Sequence, residues 1–160
     1  MKEIYYNRNK TVEYAREFAY KRNPKYYAFD NLGGDCTNFV SQCLFAGCET
    51  MNYTKTLGWY YISLNNRSPA WSGVEFLYNF LIQNKSVGPY GEITDKINIL
   101  KGDVIELGSA NGEFFHTLIV SETRNNEIFV ASHNRDGFNI PLSVFSYARV
   151  RYIHILGARK

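Results

Sequence analysis

The sequence is poor in cysteine. Its three cysteines, Cys36, Cys43 and Cys48, are too few and odd in number for a disulfide framework in a chain of 160 residues. Their spacing also differs from the C-x-x-C pairs that are typical of zinc and redox sites. The cysteines are therefore expected to be free thiols, either buried in the core or chemically reactive.

The sequence also lacks a long apolar run. No stretch reaches the roughly 18 residues that a membrane-spanning helix needs. Residues 1–10 are polar and contain no signal-peptide core. We therefore expect no transmembrane segment and no export signal within this chain, so an extracellular or cell-envelope location would require that it be part of a longer protein.

The sequence contains no cluster of charged residues of one sign. The formal net charge is only +3 at pH 7, and the lysines and arginines are scattered along the chain. Nucleic-acid binding usually needs a concentrated basic face, so we expect no nucleic-acid partner. A weak attraction to an anionic polymer, such as a bacterial wall, is compatible with this charge.

Hydrophobic residues, by contrast, are plentiful. They make up 45% of the 160 residues, and aromatic residues make up 16%. A chain of this length and composition can bury one core, so a single domain over residues 1–160 is expected.

Hydrophobic periodicity predicts helices in the first half of the chain and strands in the second. Apolar residues recur at helical spacing in three segments, and short β-rich segments follow after a turn at 87–91. Helices first and antiparallel strands later indicate an α+β fold with segregated elements. The predicted helices are 11–22, 35–47 with Asp35 as N-cap, and 72–84 with a Ser72–Glu75 capping box; the predicted strands are 103–107, 114–122, 127–133 and 149–156, with a hairpin turn at 124–126 and a helical turn within 141–147.

Residues 33–39, Gly-Gly-Asp-Cys-Thr-Asn-Phe, are the most informative for chemistry. Cys36 would lie in the first turn of a helix, where free N–H groups and the helix dipole favour the thiolate. Such a position can lower a thiol pKa from about 8.5 to roughly 3.5–7.5. The backbone amides there, around Asp35 and Thr37, could also donate to an oxyanion. The alternative is that Cys36 is simply buried, and the residue pattern alone leaves both interpretations open.

Only three histidines are available to activate a thiol. His116 lies near the start of a strand, where it is held rigidly, and is the first candidate for the base. His133 ends the next strand of the same hairpin, whereas His154 is expected to be structural. Either His133 or Asn134 could orient the base, but alternation along a strand puts them on opposite faces, so only one of the two can do so.

A zinc site is the rival use of the same side chains. Cys36, His116 and His133 are suitable zinc ligands by type. They lack the paired local spacing that is typical of zinc sites, so we expect no metal and no other cofactor.

Residues 29–44, Phe-Asp-Asn-Leu-Gly-Gly-Asp-Cys-Thr-Asn-Phe-Val-Ser-Gln-Cys-Leu, resemble the signature of the bacterial putative amidase domain family. Supporting stretches follow in order, so the resemblance extends over essentially the whole chain. They are Trp71 leading into 74–81, then 101–105, 116–120 and 131–133. These domains resemble the wider NlpC-like and CHAP-like cysteine peptidases and amidases, many of which act on bacterial cell walls.

The resemblance implies a papain-like fold, in which a helix that carries the cysteine packs on a sheet that carries the histidine. By position, it implies that Cys36 is the nucleophile and His116 the base. His133 is then the best match for the third polar residue, and Asn134 is the second.

Aromatic residues are expected to border the substrate. The resemblance implies a tyrosine upstream of the cysteine near the oxyanion, which Tyr27 or Tyr26 would supply. The aromatic stretch 53–71, which ends at Trp71, would form a wall of the cleft. Alternatively, that stretch would cover the sheet, and the sequence favours neither role over the other.

We therefore expect a monomeric, cysteine-dependent amide hydrolase that acts through an acyl-enzyme on a peptide or on peptidoglycan. This mechanism needs no cofactor. The alternative is a catalytically silent module that binds the wall or a protein with the same fold. A long distance between the Cys36 sulfur and the His116 ring, without an open cleft, would favour the silent module.

Overall fold

Four α-helices and a mostly antiparallel sheet form the α+β fold that the sequence predicts. The structure is a computed structural model that describes residues 1–160. The helices are α1 (Arg8–Phe18), α2 (Cys36–Cys48), α3 (Pro69–Ser72) and α4 (Val74–Gln83). The main sheet contains β1 (Glu3–Ile4), β4 (Gly88–Thr94), β5 (Val104–Gly108), β6 (Phe114–Arg124), β7 (Glu127–Ser132), β8 (Gly137–Pro141) and β9 (Arg149–Arg159), and a separate hairpin consists of β2 (Tyr61–Ser63) and β3 (Asn66–Arg67). None of the helices has both the length and the apolar character that crossing a membrane requires.

β9 pairs with three other strands of the sheet. β4 pairs along one edge of β9, whereas β5 pairs along the first half of the other edge and β1 along its end. The order then continues from β5 through β6, β7 and β8. The turn predicted at 87–91 is wrong, because most of these residues open β4. Pro89 is tolerated there because β4 is an edge strand, where an unpaired backbone nitrogen can face away from the sheet.

Two hydrophobic clusters lie on opposite faces of the sheet. Because side chains alternate along a strand, β6 contributes Ile119 to the larger cluster, which includes the core of α2. It contributes Leu118 and Val120 to the smaller cluster on the other face. Leu142 also belongs to the smaller cluster, and it begins a short 3-10 turn that confirms the helical turn predicted within 141–147.

One extra residue interrupts the pairing of β5 with β6. Leu107 is opposite His116, but Gly108 is opposite Phe114, so Phe115 forms a β-bulge. Beyond the bulge the pairing is regular. The position of the bulge therefore determines which side chains of β6 face α2.

α1 begins and ends earlier than the predicted helix at 11–22. The Oδ1 atom of Asn7 accepts a hydrogen bond from the N–H of Lys10 at 3.0 Å, which caps the helix before the apolar periodicity begins. The helix ends at Phe18, which leaves its carbonyl oxygen free for another partner.

The capping box predicted at Ser72 and Glu75 is wrong. Pro69 opens the short helix α3, which ends at Ser72, and Arg67 donates to the Ser72 hydroxyl at 2.9 Å. The N-cap of α4 is Gly73, so this helix begins without a side-chain cap.

The hairpin turn predicted at 124–126 is confirmed. β6 ends at Arg124 and β7 begins at Glu127, so Asn125 and Asn126 form a two-residue loop with φ of 52° and 63°. Asparagine adopts these left-handed angles more readily than most residues, as the tight turns of β-hairpins require.

Asp103 connects the sheet to the start of α1. Its buried carboxylate accepts hydrogen bonds from Nη1 of Arg8 at 2.7 Å and from Nδ1 of His154 at 2.8 Å. It also accepts from the backbone N–H groups of Leu100 at 2.8 Å and Ile155 at 2.9 Å. His154 is thus held in a structural contact, which is the role expected for it.

We predict that Asp103→Asn lowers the free energy of unfolding by about 3 kcal/mol, because it removes the buried carboxylate that pairs with Arg8 and accepts from His154 and two backbone N–H groups. Urea denaturation would measure the loss. Glu49→Gln is the control, since Glu49 forms an exposed ion pair with Lys10 at 3.1 Å and should cost less than about 1 kcal/mol. Equal losses in the two variants would contradict the structural role of Asp103.

Candidate active site

Two glycines lead the chain into α2. Gly33 and Gly34 have φ of 86° and 97°, in the left-handed region that residues with a side chain rarely adopt. A Cβ atom at Gly34 would lie 2.5 Å from Nδ2 of Asn134, so the close approach of that side chain also requires glycine. The turn places Asp35 at the N-cap position of α2 and Cys36 at its first residue, as predicted.

Asp35 occupies the N-cap position, but its side chain does not cap α2. The buried carboxylate accepts from the N–H of Phe29 and Nδ2 of Asn38, both at 2.8 Å, and from Nδ1 of His133 at 2.5 Å. In return, Oδ1 of Asn134 accepts from the N–H of Asp35 at 2.8 Å. These contacts fix the turn that precedes the cysteine.

His133 is locked between α1 and α2. Its Nε2 lies 2.7 Å from the carbonyl oxygen of Phe18, at the end of α1, and its ring stacks on Phe39 with centroids 3.9 Å apart. The Phe18 carbonyl can only accept, so Nε2 donates to it, and Nδ1 contacts the Asp35 carboxylate.

Neither His133 nor Asn134 forms a hydrogen bond with His116. β7 ends at Ser132, so both residues lie beyond the strand, and Asn134 adopts a left-handed φ of 77°. They turn toward the start of α2, where Asp35 engages both side chains. The contact that was expected to orient His116 is therefore not present in this structure.

The Cys36 thiol is buried, with only 5% of the residue exposed. Its sulfur lies 3.7 Å from Oγ1 of Thr37. Burial raises the pKa of Cys36, and this effect outweighs the lowering by the backbone of Thr117 and by Thr37. The lowering expected from the helix N-terminus is therefore wrong in direction, and the resting group is the thiol.

His116 is adjacent to Thr117, whose hydroxyl contacts Thr37 of α2, but the side chain of His116 lies on the other face of the sheet. It pairs with Leu107, a member of the smaller cluster, and its ring centroid lies 5.8 Å from that of Phe145. No hydrogen bond joins it to Cys36. Burial lowers the pKa of His116 to about 4, so the imidazole is neutral at neutral pH.

A series of polar side chains connects the thiol to a buried acid that the sequence analysis missed. Oγ1 of Thr37 lies 2.8 Å from Oγ1 of Thr117, which donates to Oε2 of Glu106 at 3.4 Å. Arg151 donates to Oε1 of Glu106 from Nε at 2.9 Å and from Nη2 at 2.6 Å. Burial raises the pKa of Glu106 to about 8. A carboxylate within the otherwise apolar β5 was the signal that could have identified it.

Asn38 connects the two aromatic residues that were expected at the cleft. Its Nδ2 donates to the carbonyl of Tyr27 at 2.9 Å, and its Oδ1 accepts from Nε1 of Trp71 at 2.9 Å. Tyr27 is exposed, whereas Trp71 is fully buried in the larger cluster against Tyr26 and Trp59. The expectation that Trp71 borders a cleft is wrong, because its ring packs within the core.

No three His, Cys, Asp or Glu side chains are grouped so that they could hold a metal ion. The rival zinc set is not assembled, because Cys36, His116 and His133 are held in separate contacts. None of the five main cavities is lined by Cys36 or His116. One cavity of about 550 Å³ lies between the 52–57 loop and α4, away from the thiol.

A family model described as a putative amidase domain matches residues 5–156. Two curated proteins of Bacillus subtilis (strain 168), both described as uncharacterized, are also similar. YhbB is 33% identical over 118 residues, which cover 72% of this chain and 37% of YhbB. YjcM is 29% identical over 138 residues, which cover 81% of this chain and 31% of YjcM. The chain thus spans about a third of the length of the curated relatives it matches, and no solved structure shows a significant match.

We predict that His133→Phe lowers the free energy of unfolding by about 3 kcal/mol, since an aromatic ring is kept but the buried Asp35 carboxylate and the Phe18 carbonyl both lose a hydrogen-bond partner. His116→Phe is the matched control. His116 has no side-chain hydrogen bond, so this variant should lose less than about 1.5 kcal/mol. Urea denaturation of both variants checks the difference, and a larger loss at His116 would contradict it.

The low pKa of His116 predicts how stability changes with pH. The folded protein binds the His116 proton only near pH 4, whereas the unfolded chain binds it near the ordinary value of 6.5. The unfolding free energy should therefore decline as the pH falls from about 6.5 to about 4, and His116→Phe should make the decline shallower. Denaturant titrations across this range measure the two slopes, and identical slopes would show that His116 is not buried as a neutral ring.

Proposed function

The chain belongs to the putative amidase domain family, and on that premise we propose that it is a cysteine-dependent amide hydrolase with a papain-like architecture. Cys36 is the proposed nucleophile and His116 the proposed base. The proposed architecture is that of the NlpC-like and CHAP-like peptidases, in which a helix that carries the cysteine packs against a sheet that carries the histidine.

The position of the Cys36 sulfur is the observation that supports this proposal. The first residue of a helix is surrounded by backbone N–H groups that lack helical partners and can face an oxyanion. The backbone of Thr117, the residue next to His116, also lowers the pKa of the thiol against the larger effect of burial. A nucleophile beside a strand that carries a neutral imidazole suits acyl transfer to a thiol.

The reaction would start from a neutral pair rather than from a thiolate and an imidazolium. Burial raises the pKa of Cys36 and lowers that of His116, so the proton lies on the sulfur in the resting state. Attack on an amide carbonyl therefore needs a proton acceptor in the same step. His116 would take up the proton that the thiol loses, pass it to the leaving amine and then activate the water that releases the acyl group. To do so, the ring must leave its packing against Phe145 and move from the other face of the sheet to the side of the thiol when substrate binds.

The residues around the start of α2 would hold the substrate and the turn. The N–H groups around Thr37 face the oxyanion in this proposal, and Tyr27, which is exposed beside the turn, borders the substrate. His133 and Asn134 contribute through Asp35, since their hydrogen bonds fix the turn that precedes the nucleophile.

Peptidoglycan, or a peptide derived from it, is the proposed substrate. The matched relatives are bacterial, and a net charge of +3 favours weak contact with an anionic wall. The bond attacked would be an amide of the stem peptide, of the crosslink or of the sugar–peptide linkage. The protein is proposed to act on it as a monomer.

A catalytically silent module that binds the wall or a protein is the second candidate. The observation that favours it is the burial of both key residues, since Cys36 is 5% exposed and His116 is 8% exposed. Neither residue lines a main cavity, and no hydrogen bond joins them. The two candidates differ in whether bound wall is cut.

We predict that Cys36→Ala reduces amide cleavage by about a thousandfold or more, as removal of a catalytic nucleophile does. The assay incubates purified bacterial wall with each protein and identifies released fragments by mass spectrometry. Cys43→Ala is the matched control, because Cys43 is another buried thiol of α2 that packs in the larger cluster. It should retain the parental activity.

Parental rates of cleavage by Cys36→Ala would exclude Cys36 as the nucleophile. Wall that binds the parent and Cys36→Ala equally, with no fragments released by either, would support the silent module instead. Circular dichroism spectra of both variants establish that any loss of cleavage is not a loss of folding.

A further inference from the structure

The largest of the five main cavities lies beside α4, apart from the candidate active site. It has a volume of about 550 Å³, and its walls are α4 and the 52–57 loop. A cavity of this volume is within the range of small-molecule binding sites. The contacts of Cys36 and His116 involve none of its residues, so the proposed reaction leaves this cavity without a role.

Phe76 of α4 borders this cavity with 59% of the residue exposed. It also borders a second cavity of about 360 Å³, which lies around α3 and the end of β3. The two cavities meet at Phe76, and together they form what we call the α4 groove. Gly73 permits this position of the ring, because a Cβ atom there would lie 2.8 Å from Cδ2 of Phe76. An exposed ring between two cavities offers a ligand a surface on which to stack.

The polar side chains that line the α4 groove beside Phe76 are neutral and lack partners within the protein. Asn79 and Gln83 follow Phe76 at helical spacing, so the three side chains share one face of α4. Neither amide forms a side-chain hydrogen bond, and the same is true of three hydroxyls on the facing loops. These hydroxyls belong to Thr54, Thr56 and Ser86. Amides and hydroxyls both donate and accept, so they match a ligand whose groups also do both.

Two other asparagines hold the loops of the α4 groove in place. Asn52 accepts from the N–H of Thr54 at 2.9 Å and donates to the carbonyl of Val87 at 2.9 Å. Asn84 accepts from the N–H of Ser86 at 2.9 Å and donates to the same carbonyl at 3.1 Å. Because both loops are tied to one carbonyl, their hydroxyl side chains are positioned before a ligand binds, which lowers the cost of ordering the site.

Thr56 has a backbone conformation that is unusual for its residue type. Its φ is 68°, in the left-handed region that β-branched residues rarely adopt. Strained backbone of this kind is concentrated at active sites and ligand-binding sites. Thr56 lines the larger cavity, so the strain lies where a ligand would bind.

The α4 groove carries little charge. No aspartate or glutamate lines either cavity, and the two cations are Lys85 and Arg67. Arg67 already donates to the Ser72 hydroxyl at 2.9 Å and to the Leu64 carbonyl. A cationic ligand would therefore find no opposite charge, and an anionic ligand would find only Lys85 without a partner. The charge distribution favours a neutral ligand.

We propose that the α4 groove binds a neutral oligosaccharide. A pyranose ring has an apolar C–H face that stacks on an aromatic ring, and its hydroxyls both donate and accept hydrogen bonds. Phe76 supplies the stacking surface, and Asn79 and Gln83 supply hydrogen bonds on the same helix face. Because Phe76 borders a cavity on each side of the meeting point, the groove has room for more than one sugar unit.

The α4 groove ends near the segment that precedes the candidate nucleophile. The guanidinium carbon of Arg67 lies 4.5 Å from the centroid of the Phe29 ring, and the N–H of Phe29 donates to Asp35, the residue before Cys36. This continuity suits a substrate that carries sugars and amide bonds together. That use of the groove rests on the proposed function, whereas the binding of an oligosaccharide does not.

Isothermal titration calorimetry with the neutral tetramer of N-acetylglucosamine tests the proposal. The parent should bind the tetramer, and Cys36→Ala should bind it equally well, because the groove does not include the thiol. Phe76→Ala should lower the affinity by at least about tenfold through loss of stacking, and Asn79→Ala by about fivefold through loss of a hydrogen bond. The affinity should be the same at low and high salt, since no ion pair is involved.

Phe115→Ala is the matched control, because Phe115 is another phenylalanine with 50% of the residue exposed and it lies outside the groove. It should keep the parental affinity. Circular dichroism establishes that each variant folds, and Gln83→Ala replaces Phe76→Ala as the deciding variant if the latter does not. Titration with adenosine and size-exclusion chromatography at several protein concentrations examine two other occupants, a nucleobase and a second copy of the chain.

Lack of binding by the parent would overturn the proposal, as would equal affinities in the parent and Phe76→Ala. Binding of adenosine but not of the tetramer, a dimer that Phe76→Ala abolishes, or an affinity that falls steeply with salt would overturn it as well. Failure of the proposed function looks different, since the tetramer would bind through Phe76 while wall remains uncut. If wall is cut through Cys36 but the tetramer does not bind, the function stands and the oligosaccharide site does not.

Discussion

The ion pair between Asp35 and His133 is the contact on which the geometry of the candidate site depends. It joins three parts of the chain that are distant in sequence, because His133 also binds the Phe18 carbonyl at the end of α1. Asp35 in turn holds the backbone of Phe29, so the whole turn before α2 is tied to one carboxylate. These hydrogen bonds hold Asp35 in place, and they thereby define the position of Cys36, the next residue.

The elements that carry the site could be predicted where the signal is local. The two glycines, an N-cap residue and an apolar stripe place Cys36 at the start of α2, and all of these lie within one short segment. The partner of His133 could not be predicted, because Asp35 is 98 residues away and nothing in either segment identifies the other. The direction of the Cys36 pKa shift was wrong for a similar reason, since burial depends on the packed fold whereas the helix dipole is local.

The sequence also could not predict which face of β6 carries the side chain of His116. Residues 116–121 are all buried, so the strand lacks the alternation of polar and apolar residues that would mark an inner and an outer side. One consequence is that the acid–base groups lie on opposite faces of the sheet. Thr117 and Glu106 stand with the thiol, whereas the imidazole of His116 packs with the aliphatic side chains behind it.

The bulge at Phe115 determines which side chains of β6 face α2 and the thiol. If Phe115 were paired regularly after Gly108 and Phe114, each later residue of β6 would shift by one against β5. His116 would then stand opposite Glu106, and an imidazole would take the place that a threonine hydroxyl now holds beside α2. A single inserted residue thus decides whether the thiol meets a ring nitrogen or a hydroxyl, and no exchange of one side chain for another would reveal that dependence.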